Sequence, residues 1–117
     1  MTSQVLAFRA GAGIKVAVGA TTVEITTLRA GRAYRFTHSA GGDAATTQSP
    51  GCLCRFSASD AASSNGNFDF AVAAGESVIV RAPPGNVGTT LNVIEMDATS
   101  AATAALYIQE IDEDSKP

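Results

Sequence analysis

The feature that most constrains this chain is a period of two in its apolar residues. In "GIKVAVG", Ile14, Val16 and Val18 fall on one side, and Lys15 and Ala17 on the other. The same alternation sets Val23 and Ile25 against Glu24, and Tyr34, Phe36 and His38 against Ala33, Arg35 and Thr37. It sets Phe68, Phe70 and Val72 against Asn67, Asp69 and Ala71, and Leu106 and Ile108 against Tyr107 and Gln109. Side chains of a strand point alternately to its two faces, so the pattern specifies half-buried β-strands. "ESVIVRA" and "TTLNVIEM" are more continuously apolar and are expected to be covered on both faces. No window has the spacing of a long amphipathic helix. "DATSAATAAL", residues 97–106, reads equally as a short helical turn capped by Asp97 or as a loop.

Between these runs lies turn chemistry. "RAGR", "GGD", "NGN", "AAGE" and "PPGN" supply residues that tolerate positive φ, or a proline that fixes it. Short strands separated by such turns predict an all-β domain, a β-sandwich or jelly-roll-like barrel of about eight short antiparallel strands. With 117 residues the chain is long enough for one modest core. The expected division is one β domain over residues 1–111, with a candidate N-terminal arm over 1–10, and an acidic tail over 112–117. Two stretches, 38–51 and 57–67, read as long polar loops, and neither contains a nucleophile paired with a base.

Charge narrows the partners. The last eight residues, "EIDEDSKP", hold four of the eleven acids and one of the eight bases, so the body is neutral. A neutral body offers nucleic acid no clustered basic face. No stretch approaches the 18 apolar residues of a membrane span, and "MTSQVLAFRAGAGIKVAV" lacks the basic start of a signal peptide. We therefore expect neither a nucleic-acid nor a membrane partner.

Both cysteines lie in "GCLCRF", residues 51–56. On a strand, Cys52, Cys54 and Phe56 point one way and Leu53 and Arg55 the other. Residues i and i+2 of a strand are nearly 7 Å apart at Cα, at the limit for a disulfide. Structural zinc needs four ligands, and the chain has two thiols and one histidine, His38. The segment reads as core strand with free thiols, which pack as small hydrophobes. His38 has no nucleophile positioned for it by any motif. "GAG" at 11–13 lacks the residues of a phosphate loop, and "DED" lacks those of a calcium loop. No catalytic residue, metal site or cofactor is expected. Arg29, Arg32, Arg35, Arg55 and Arg81 all lie on or beside strands. They are expected to pair in part with Asp69 or Glu24, and they read either as solvated strand faces or as a contact patch for an acidic or polar protein surface.

Several of these segments taken together, "LRAGRAYRFTH", "CLCRF", "FDFAVAAGESVIVRAPPG", "TTLNVIEM" and "AALYIQEI", resemble a kind of small all-β protein encoded in the structural gene regions of tailed bacteriophages. The resemblance runs from about residue 22 to residue 111. It implies a non-enzymatic virion component: a head decoration or cement protein on the outer capsid surface. Such a protein would bind the major capsid protein and assemble as a homo-oligomer, a trimer or dimer. The candidate capsid contacts are Val5, Leu6, Phe8 and Arg9 in the N-terminal segment, which reads either as a docking arm that adds a strand to a neighbour or as the first strand of the domain. The alternative function is a carbohydrate-binding or receptor-binding module of a tail fibre or adhesin. Sugar platforms present exposed aromatics, and most of the seven aromatic residues here fall at core phase.

Overall fold

A computed structural model describes residues 7–19, 21–39, 50–57, 68–96 and 104–112. The alternating segments form eight strands: β1 (Ile14–Val18), β2 (Val23–Ile25), β3 (Ala33–His38), β4 (Gly51–Phe56), β5 (Phe70–Ala73), β6 (Ser77–Arg81), β7 (Leu91–Glu95) and β8 (Ala104–Glu110). A 3-10 turn, Asn86–Thr89, precedes β7. Among the described residues there is no α-helix. Of the segment expected to be either helical turn or loop, residues 104–106 open β8, and the remainder lies outside the described residues.

Four antiparallel pairs are nested along the chain: β1 with β8, β2 with β7, β3 with β6, and β4 with β5. Pairing of β8 with β3 and of β7 with β4 then joins them into two four-stranded sheets. The first sheet runs β1-β8-β3-β6 and the second β2-β7-β4-β5. Every connection except β4–β5 passes from one sheet to the other. This strand order is that of the eight-stranded jelly roll, a two-sheet sandwich.

Strand phase decides what lies between the sheets. Val16 and Val18 of β1, Tyr34 and Phe36 of β3, Leu91 and Val93 of β7, and Leu106 and Ile108 of β8 are all buried in one core. Cys52, Cys54 and Phe56 of β4 and Val72 of β5 belong to it too. The aromatic rings form a chain through the interior, with centroids 6.2 Å apart for Tyr34–Phe36, 4.9 Å for Phe36–Phe70 and 5.8 Å for Phe56–Phe70. Burying each large apolar side chain stabilises the fold by about 1.5–3 kcal/mol before the entropy of ordering is counted.

The two continuously apolar segments part company. All five residues of β7 are buried, because β7 is central in its sheet and Ile94 packs with Leu53 on the far face. β6 is a sheet edge that alternates strictly, and Ile79 is 54% exposed on its outer side. The expectation that "ESVIVRA" is covered on both faces is thus corrected.

Two of the described glycines are required by close approach: Gly88, where a Cβ would collide with the Pro83 carbonyl, and Gly51. Gly51 opens β4 with φ of 138°, and a Cβ there would collide with the carbonyl oxygen of Val72 on β5. Only glycine combines that dihedral with that contact.

Candidate functional site

The thiols come first, since both cysteines of the chain lie together on β4. Cys52 and Cys54 are fully buried and free, with their Sγ atoms 3.9 Å apart on the inward face. The Cys54 thiol is pushed far up, first by its hydrogen bond with Cys52 and then by burial. A thiol held protonated in an apolar interior is a poor nucleophile and a poor metal ligand. His38 also points inward at the end of β3, 1% exposed, and burial lowers its pKa below the usual value. Among the described residues, no group of three or more His, Cys, Asp or Glu side chains is placed to hold a metal ion. No helix there is long and apolar enough to cross a membrane.

A second cluster forms where the chain enters β1. In the β1–β8 pairing Ile14 faces Ile108, yet Phe8 bridges Ile111. Five residues (9–13) on one side therefore oppose two (109 and 110) on the other, and the "GAG" stretch bulges out between them. The Arg9 amide donates to the Glu110 carbonyl, and the Asp112 amide to the Ala7 carbonyl, stitching residues 7–9 to the end of β8. The bulge walls a cleft of about 270 Å³ lined by Arg9, Gly11, Thr27, Tyr34 and Glu110.

Glu110 is the hub of that cleft. Its phase on β8 turns the carboxylate inward, where its side chain is only 4% exposed. The Arg29 guanidinium donates to its Oε2 at 2.9 Å, and Arg9 lies 3.6 Å from its Oε1. The Tyr34 hydroxyl donates to Oε1 at 3.2 Å and accepts from the Arg29 backbone amide at 2.6 Å. Burial raises the Tyr34 pKa, opposed by the Arg29 amide and assisted by the charge on Glu110. A buried carboxylate survives when paired and hydrogen-bonded, and here two donors, Arg29 and Tyr34, and the nearby Arg9 charge hold it. The cluster clamps the N-terminal segment to β3 and β8 and offers no nucleophile. Asp69, expected to pair with an arginine, instead accepts the Phe56 amide at 2.8 Å.

The third feature is the outward face of the first sheet. Strand register places Lys15, Tyr107, Thr37 and Ser77 in one row across β1, β8, β3 and β6. Gln109, Arg35 and Ile79 form the next row across β8, β3 and β6. Tyr107 is 41% exposed, with the Lys15 Nζ 6.0 Å from its ring centroid. Arg35 lies 5.9 Å over the Phe8 ring. Lys15, Arg35, Thr37, Tyr107 and Gln109 line an open groove of about 470 Å³. The outward strand positions of this sheet carry Lys15, Arg35 and Arg81 and no acid among the described residues.

Of the candidate capsid contacts, Phe8 and Arg9 are tied to the body as described, Phe8 half-buried under Arg35 and Arg9 on Glu110. Val5 and Leu6 lie outside the described residues, as do most of both long polar loops and residues 113–117 of the tail. Compared with family models, with curated proteins and with solved structures, the chain finds no match.

Proposed function

We propose that this chain is a non-enzymatic structural protein of a tailed-phage virion, a decoration or cement protein that binds the major capsid protein and stabilises the head. It would act as a dimer or trimer on the capsid surface. The observation that carries the reading is the contrast between interior and face. The thiols and His38 are buried in the sandwich, and Glu110 is engaged by two donors and the Arg9 charge, whereas the outward face of the first four-stranded sheet carries an exposed tyrosine and isoleucine. A rigid scaffold with one such face is what docking onto a protein shell demands, and the resemblance of the strand segments to phage structural proteins points the same way. The test is co-sedimentation of the purified protein with shells that lack it, followed by a melting measurement on the shells. Binding to assembled shells but not to free capsid subunits, with a raised shell melting temperature, is expected. Several linked contacts on a shell raise effective concentration in a way single subunits cannot.

A second reading is favoured by one observation: Tyr107 stands exposed in a groove beside Thr37 and Gln109, as in a surface that stacks a sugar ring. A glycan array separates the two. Saccharide binding with no shell binding makes the chain a receptor-binding module of a tail fibre or adhesin.

A further inference from the structure

We infer that the outward face of the first sheet, centred on Lys15, Arg35 and Tyr107, docks an acidic patch of a different protein and does not pair with the same face of a second copy. The inference rests on the reading of the chain as a docking module and adds the chemistry of the surface that is docked.

The face is assembled by register alone. β1 and β3 flank β8, so Lys15 and Arg35 stand on either side of the Tyr107–Gln109 strip. Two inter-strand spacings and one step of two residues place their Cα atoms ~12 Å apart. Both cations lie over aromatic rings, and among the described residues neither meets a carboxylate. The described acids lie off the outward strand positions: Glu110 faces inward, Glu24 and Glu95 are on the second sheet, Asp69 immediately precedes β5, Glu76 is in the β5–β6 turn, and Asp112 follows the end of β8. The neutral net charge of the body therefore conceals a cationic face.

That distribution selects the partner. Two copies meeting through this face would bring like charges together without an acid between them, which costs affinity. An acidic partner supplies the missing counter-charge. Exposed Ile79 and Tyr107 add apolar anchors to the same surface, and tyrosine and arginine are the residues that dominate protein interfaces. No carboxylate stands in the groove to accept hydrogen bonds from sugar hydroxyls, so a protein surface fits better than a saccharide.

The probe is a decamer of glutamate, with an oligogalacturonate of the same length as the saccharide control, each titrated into the full-length 15N-labelled protein at low salt. The expected result is shifts at Lys15, Arg35, Thr37 and Tyr107 that shrink as ionic strength rises, and binding weakened about tenfold in the Lys15→Glu/Arg35→Glu double variant. Both positions are on the surface, and an unchanged melting temperature checks that the variant folds. Glu24→Lys on the opposite sheet leaves binding unchanged. Shifts confined to the second sheet, or equal binding by the double variant, overturn the inference. Response to the oligogalacturonate alone overturns it in favour of a saccharide. If binding requires removal of residues 113–117, the occupant is the chain's own acidic tail and the inference falls. Glutamate-decamer binding without shell binding removes the capsid reading and leaves this surface standing. Shell binding undiminished in the double variant does the reverse.

Discussion

The Tyr34 hydroxyl donates to Oε1 of Glu110 over 3.2 Å, tying β3 to the final residue of β8 across the register pair that the two residues themselves form. The Tyr34 hydroxyl oxygen also accepts from the Arg29 amide, so one hydroxyl serves two partners. Tyr34→Phe keeps the ring and leaves the Arg29 amide and one carboxylate oxygen without it. The expected cost is about 1–3 kcal/mol, read as a lower urea midpoint at unchanged slope. An unshifted midpoint would show that water replaces the hydroxyl at no cost.

The buried thiols should be inert. Ellman's reagent is expected to react slowly with the native protein and promptly with two thiols after denaturation, since Cys52 and Cys54 are both fully buried. Cys54→Ser places a hydroxyl in the apolar interior and should destabilise the fold by about 1–3 kcal/mol. Rapid native labelling contradicts this placement.

His38 links stability to pH. Its folded pKa lies below the usual value because burial disfavours the imidazolium. On acidification the unfolded chain therefore takes up the proton first. The stability supplied by the neutral ring is complete above about pH 6.5 and is lost as the pH falls from there toward the folded value. The difference in unfolding free energy between the unaltered protein and His38→Gln, measured from pH 7.5 to 5, is expected to shrink with acidification. A constant difference would place His38 in contact with water.

Two glycines with positive φ separate dihedral strain from collision. Gly31 has φ of 76° with open space where a Cβ would stand, and Gly51 has φ of 138° with the Val72 carbonyl in the way. Gly31→Ala should cost about 1 kcal/mol. Gly51→Ala should cost clearly more, because β4 and β5 must also part. Equal melting temperatures for the two variants are incompatible with the close approach.

What local pattern can report, it reported. The division of β8 into inward Leu106 and Ile108 and outward Tyr107 and Gln109 follows from period two, and so does the inward phase of Cys52 and Cys54. The limit is seen at "ESVIVRA". Continuous apolarity reflects side-chain chemistry, whereas cover on both faces depends on which strands lie alongside, and β6 turns out to be an edge. The cationic face was hidden for the same reason. Lys15, Arg35 and Tyr107 become neighbours only when β1, β3 and β8 pair, and no local signal encodes a register between segments so distant in sequence. Glu110 was grouped with the tail acids by its position in "EIDEDSKP", but strand phase turns it inward, away from them.

The nested pairing also sets how the molecule bears load. The Asp112 amide is bonded to the Ala7 carbonyl, so the two ends of the described body leave from one corner of the first sheet. Tension applied between them opens the β1–β8 ladder as a zipper, one hydrogen bond after another, with no more than a bond or two resisting at any moment. Pressure on the outward face is shared by four strands backed by the whole core. A roll wound in this sense is mechanically one-sided: it is compliant when pulled by its ends and stiff when pressed on its face.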